Sequence, residues 1–84
     1  MENKKKLINQ ILYRSTHRGT KEMDILLGNF VKKYINTFNN DELDILNKIL
    51  NCEDLILHNW YFNRVNHKQI PINKITKMLK NFKL

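Results

Sequence analysis

With 84 residues, of which 42% are apolar and 27% charged, the chain suffices for one small globular domain but not for a barrel, a doubly wound sheet or an enclosed active-site cavity. Two glycines, one proline and no alanine leave few turns, which disfavours a hairpin-rich all-β fold; the 13 asparagines, 12 lysines and 10 isoleucines read as AT-rich codon bias. The formal net charge of +7 is uneven, with +5 over residues 1–21, −4 over residues 22–63 and +6 over residues 64–84.

Helical spacing runs through the sequence and predicts an all-α fold, a compact bundle of about five short helices. Residues 1–84 read as a single helical domain, with a core over about residues 5–82 and basic ends. Leu7, Ile8, Ile11 and Leu12 make one face of a first helix, which should stop near Arg18 because Gly19 suits the left-handed position past a helix end. Met23, Leu26, Leu27, Phe30, Tyr34 and Phe38 form the stripe of a second helix, widened by Val31 and Ile35, with a kink or break expected at Gly28-Asn29. Asn39-Asn40-Asp41-Glu42 is a helix-start signature, and Leu43, Ile45, Leu46, Ile49 and Leu50 supply the buried face of a third helix. Asp54 is placed to cap a short fourth helix carrying Leu55, Ile56, Leu57, Trp60, Tyr61 and Phe62. Residues 63–70 are polar and read as a loop. Pro71 suits the first turn of a last helix, with Ile72, Ile75, Met78, Leu79 and Phe82 on one face.

No catalytic constellation is visible. His17, His58 and His67 do not pair at metal-binding spacing, and Cys52 has no cysteine partner, so no metal ligands are assigned. There is no Gly-rich phosphate loop, so no cofactor-binding residues are assigned either. Ser15 has His17 nearby but no nucleophile elbow around it. Asp41 and Glu42 are explained as helix-start residues, so no catalytic residues are assigned. A lone cysteine suits a reducing compartment, and Cys52 reads as a small buried hydrophobe. Trp60, flanked by Tyr61 and Phe62, reads as a partly buried core residue. Lys4-Lys5-Lys6 begins like a signal peptide, but Asn9 and Gln10 break the apolar stretch behind it and no cleavage site appears. The longest unbroken apolar runs are three residues, so no membrane insertion is expected and a cytoplasmic (bacterial) location is.

The most unusual segment is Tyr13 to Asp24, which packs two of the three arginines, one of the two glycines and two acids into a helix–helix junction. Helix-end chemistry explains it in part. Arg14, His17 and Arg18 would lie in a last turn favoured by the helix dipole, and Glu22 would cap the next helix start. Tyr13 and Arg14 point away from the apolar stripe and read as surface residues. Two basic ends around an acidic middle suit either internal charge complementation or an anionic partner.

Tyr13-Arg14-Ser15, then Arg18-Gly19-x-x-Glu22, then Asp24-Ile25-Leu26-Leu27-Gly28-x-Phe30 resembles the succinate dehydrogenase flavinylation factor family, the bacterial SdhE-type proteins and their mitochondrial assembly-factor relatives. The resemblance continues through Phe38, Asp41-Glu42-Leu43, Leu50, Asp54 and Trp60, covering roughly residues 7–62. This chain has Leu55-Ile56 where the family typically has Pro-Asp, and from residue 63 onward it matches only in being basic and helical. The resemblance implies an assembly factor or chaperone, not an enzyme with a catalytic site of its own. Such a factor binds the flavoprotein subunit of succinate dehydrogenase, or of fumarate reductase, and promotes covalent attachment of FAD to a histidine of that subunit. It implies no cofactor held by the factor itself, no nucleic acid, and a monomer when free. It puts the motif at the client-facing surface, so the partner-binding residues are Arg18, Gly19 and Glu22, with Arg14, Tyr13, His17 and Asp24 beside them. Arg18 and Glu22 are expected to be exposed. The alternative is a small basic helical nucleic-acid-binding protein whose third and fourth helices form a helix-turn-helix. Against it, Leu55–Phe62 is largely apolar, and lysine outnumbers arginine 12 to 3.

Overall fold

The computed structural model describes residues 2–83, which form α1 (Glu2–Thr16), α2 (Lys21–Tyr34), a 3-10 turn (Ile35–Thr37), α3 (Asn40–Leu50), α4 (Asp54–Phe62) and α5 (Lys74–Asn81). No strand occurs among the described residues. The bundle measures 38 × 25 × 20 Å.

On α1, Ile11 is fully buried and Leu7, Ile8 and Leu12 pack against the core. The helix ends at Thr16, so His17 and Arg18 lie beyond it rather than in its last turn. The Ser15 and Thr16 hydroxyls donate back to the Leu12 carbonyl at 2.8 and 3.0 Å, satisfying acceptors of the final turn. The next helix is capped by Thr20, whose hydroxyl accepts from the Met23 amide at 3.3 Å. Glu22 therefore does not supply the cap expected of it, because a better-placed hydroxyl precedes it.

Along α2, Met23, Leu26, Leu27, Phe30 and Val31 are buried, and the stripe carries on through Ile35 and Phe38. No break occurs at Gly28; α2 runs unbroken through it. Gly28 is buried against the end of α1, where a β-carbon would lie 3.4 Å from the Thr16 methyl, an ordinary contact. The tightening comes seven residues later, in the 3-10 turn at Ile35–Thr37.

Asn39 and Glu42 form a capping box at the start of α3, with the Glu42 amide donating to Asn39 Oδ1 at 2.8 Å and the Asn39 amide to Glu42 Oε1 at 2.9 Å. Leu43, Leu46, Ile49 and Leu50 then face the core. Glu53 occupies the position before α4 and makes no side-chain cap; Asp54, expected as the cap, is already inside the first turn with its carboxylate turned elsewhere. On α4, Leu57 and Trp60 are buried while Leu55 is 69% exposed, and the helix carries no Lys or Arg.

The last helix starts later than the proline suggests. Asn73 and Thr76 make a capping box, so α5 begins at Lys74 and Pro71 lies outside it. Ile72 falls in the preceding segment and is 82% exposed rather than on the buried face. Ile75 and Leu79 enter the core, and Phe82 packs edge-on against Phe30 at 5.4 Å. The Tyr61 hydroxyl donates to the Phe82 carbonyl and ties α4 to the end of α5.

Candidate functional site

The junction between α1 and α2 is held by groups from three other places in the chain. At its centre is the Arg18 guanidinium. Its Nε donates to Asp54 Oδ1 at 2.7 Å, and its Nη2 reaches the same oxygen at 2.6 Å. Nη1 donates to the Leu50 carbonyl at 2.6 Å and Nη2 to the Cys52 carbonyl at 3.0 Å. The end of α3 leaves carbonyls without intrahelical partners, and the planar fork of an arginine can satisfy several acceptors at once. The result is an Arg18 side chain only 9% exposed. The expectation of an exposed arginine is corrected for this reason: the α3 terminus and the first turn of α4 together build an acceptor cradle around it.

Gly19 is next in the chain. Its amide donates to the second oxygen of Asp54. No glycine of the chain has positive φ, so the left-handed role expected for Gly19 is not what the backbone uses. What it uses is space: a β-carbon at Gly19 would stand 2.8 Å from Asp54 Oδ2. The Arg18 amide is also taken, donating to Asp24 Oδ1 at 2.5 Å. Two carboxylates, one from α2 and one from α4, thus clamp consecutive amides of the turn.

Around this clamp the remaining motif residues divide into two kinds. Arg14 is half-buried and donates to Asn47 Oδ1 at 3.0 Å and Asn51 Oδ1 at 2.6 Å, stitching α1 to α3. Tyr13, His17, Gly19 and Glu22 are exposed. The Tyr13 ring, 63% exposed, stacks on His17 with centroids 3.8 Å apart and planes 14° from parallel. His17 Nδ1 lies 2.8 Å from the Tyr13 carbonyl; a carbonyl only accepts, so Nδ1 carries the proton and holds the ring in the stack. Glu22 makes no hydrogen bond or ion pair among the described residues and stands free on the first turn of α2.

Sequence reasoning missed Asp54 as the partner of the motif, and Asn47 and Asn51 as the partners of Arg14. The separations are 33 to 37 residues, and no periodicity or capping rule reaches that far. Cys52 is buried as expected, and burial pushes its thiol up from the ordinary value, with the nearby Arg18 charge acting the other way. Among the described residues no group of three or more His, Cys, Asp or Glu side chains is arranged to hold a metal ion, and no helix is long and apolar enough to cross a membrane.

A family model described as flavinator of succinate dehydrogenase matches residues 9–83. The mitochondrial succinate dehydrogenase assembly factor 2 of Arabidopsis thaliana is 41% identical over 59 residues, which is 70% of this chain and 31% of that protein. The FAD assembly factor SdhE of Acetobacter pasteurianus is 38% identical over 71 residues, 84% of this chain and 62% of that protein. SdhE of Pseudomonas savastanoi pv. phaseolicola is 28% identical over 68 residues, 81% of each chain. The chain thus spans less than two thirds of the length of the first two of these relatives. No solved structure matches.

Proposed function

This chain belongs to the flavinator of succinate dehydrogenase family, and we propose that it serves as an assembly factor for the flavoprotein subunit of succinate dehydrogenase or fumarate reductase. In this reading it binds the flavoprotein and promotes covalent attachment of FAD to a histidine of that client. It acts as a cytoplasmic monomer without a cofactor or catalytic residue of its own. Its contribution is alignment: the client is held so that its histidine and the flavin 8-methyl position are in register, with the isoalloxazine ring as electron sink.

The observation that carries the reading is the clamped Arg18-Gly19 turn. Asp54 and Asp24 hold its two amides and Arg18 is anchored on three sides, so the exposed residues beside it are presented on a turn already ordered. A pre-ordered surface avoids about 0.5–1.5 kcal/mol of ordering cost for each side chain that would otherwise be immobilised on binding. Tyr13, His17 and Glu22 are the contacts, with the exposed Gly19 backbone beside them; Arg18, Asp24 and Arg14 hold these groups in place.

The test is complementation. In cells lacking their own factor, the wild-type chain should restore the fluorescence of covalent flavin on the flavoprotein band of a denaturing gel. A soluble, folded chain that leaves that band dark in the presence of its client overturns the reading. Co-purification of nucleic acid in place of a flavoprotein would favour the alternative.

A further inference from the structure

The basic end of the chain builds a concavity that shares no residue with the α1–α2 turn. Residues 66–72 and the exposed side of α5 enclose an open groove of about 550 Å³, with Trp60, Ile70, Pro71 and Ile72 among its apolar walls. Lys68, Lys77 and Lys80 also line it, and no acidic residue does. Across Lys77 lies a second concavity of about 540 Å³, bordered by Lys33, Lys83, Tyr34 and Phe82. Residues 64–84 contain six basic side chains and no acidic one. The single ion pair recorded there joins Lys74 to Glu42, and Lys77 and Lys80 have no such partner among the described residues.

We propose that this groove docks an acidic segment of a partner protein, in which carboxylates flank one bulky apolar side chain. Ile72 is 82% exposed at the rim and adds an apolar side chain to the groove wall. The apolar walls suit an inserted Leu, Ile or Phe, and the surrounding lysines, as point charges on flexible stems, suit carboxylates spread along an extended chain. Continuation past Lys77 into the second concavity calls for an occupant longer than a small ligand. A nucleic acid fits less well. Trp60 is 4% exposed and has Lys80 over its ring at 5.1 Å, so its face is not open for base stacking, and no arginine fork lines the groove. This interaction stands apart from the flavinylation reading, because it uses other residues and names a ligand chemistry rather than a client.

Trp60 is the chain's only tryptophan and borders the groove, so its emission can be followed as a probe of that region. The full chain is immobilised and a random peptide library is selected against it. Peptides enriched in Asp and Glu around Leu, Ile or Phe are expected, and a synthetic peptide of that consensus should shift Trp60 emission saturably. Lys77→Glu and Ile72→Asp, both at exposed positions, should each weaken that binding about tenfold or more while the helical circular dichroism stays at wild type. The proposal is overturned if the selection enriches nothing, or enriches basic or uncharged peptides. It is equally overturned if both variants bind the consensus peptide like wild type. Emission shifts with phosphatidylglycerol vesicles or with single-stranded DNA, but not with the acidic peptide, would assign the surface to a membrane or a nucleic acid instead.

Discussion

Arg18 and Asp54, 36 residues apart, meet through two contacts of 2.6 and 2.7 Å that join the α1–α2 turn to the first turn of α4. The pair is mostly enclosed, with 9% and 20% of the two side chains exposed. The arginine of the family motif is therefore a structural clamp before it is anything else. Loss of client binding on its removal would reflect collapse of the turn as well as any lost contact.

Replacing Asp54 by alanine strands the guanidinium with only carbonyl partners and frees the Gly19 amide. A hydrogen bond to a charged group contributes about 1.5–3 kcal/mol, and breaking a buried pair costs more than its net worth. Asp54→Ala should destabilise the chain by about 2–3 kcal/mol, lowering Tm by roughly 10–20 °C for a domain this small. Thermal melts followed by circular dichroism check this; a shift of about 2 °C or less would mean that the clamp contributes little to stability.

Gly19 and Asp54 should be energetically coupled. A β-carbon at Gly19 would lie 2.8 Å from Asp54 Oδ2, and that oxygen cannot simply swing away while Arg18 grips its partner. Gly19→Ala should cost about 1–3 kcal/mol, as overpacking does. Gly19→Asn should do no better, because tolerance of the left-handed region is irrelevant to a residue that does not occupy it. In an Asp54→Ala background the Gly19→Ala penalty should largely vanish. Additive losses in this double-mutant cycle would mean that the glycine is required for some other reason.

The opposite sign is expected at the other glycine. At Gly28 a β-carbon meets the Thr16 methyl at 3.4 Å, an ordinary contact, and the residue sits inside a continuous helix. Glycine in a helix interior is about 0.8–1.0 kcal/mol less favourable than alanine. Gly28→Ala should leave stability unchanged or raise it by up to that amount, whereas Gly28→Val, with two further methyls against α1, should lower it. Urea unfolding midpoints distinguish these outcomes.

Much of the helical layout was legible because its signals are local. The stripe from Met23 to Phe38 reports a buried face directly, and Asn39 with Glu42 carries its own capping box in four residues. The misreadings came where two local signals competed. Pro71 favours a first helical turn, but Asn73 with Thr76 offers two capping bonds and wins, leaving Ile72 outside. Gly28 reads as a breaker on propensity alone, yet it is buried against the end of α1 and the helix continues through it. The site was legible as a motif and not as a geometry. Nothing within ten residues of Arg18 announces that its partners are Leu50, Cys52 and Asp54, since they converge only when α3 and α4 fold back.

Acid should weaken the contact between α3 and α5. The bond from Lys74, at 2.7 Å, and then the Asn39 amide hold the Glu42 carboxyl below the ordinary carboxylate range. A carboxyl whose folded value is depressed contributes stability above its unfolded value, about 4.3, and loses it as pH falls through the folded one. Glu42→Gln keeps an acceptor for the cap but cannot titrate. Wild type should therefore be the more stable of the two at pH 7, and the two should converge towards pH 3. Parallel stability profiles across that range would show that Glu42 is not responsible for the acid dependence.

The client-facing assignment rests on residues whose loss should not disturb the fold, and Glu22 and Tyr13 are the two that separate the effects most cleanly. Glu22 is exposed, makes no bond among the described residues, and lies outside the Thr20 cap. Tyr13 is 63% exposed and touches His17 rather than the core. Glu22→Gln and Tyr13→Ala should each change stability by no more than about 0.5 kcal/mol, the ordinary range for surface substitutions. If these side chains are buried in a client interface, each should weaken the complex by about 1–3 kcal/mol, a factor of roughly 5 to 150 in affinity. Covalent flavin on the client should fall with occupancy of the complex, and overexpressing the variant should recover part of it. Arg18→Ala and Asp54→Ala should instead lose melting temperature and flavinylation together. Wild-type flavinylation by both Glu22→Gln and Tyr13→Ala at limiting expression would place the working surface elsewhere on the bundle, and the clamp at Asp54 would remain as a purely structural device.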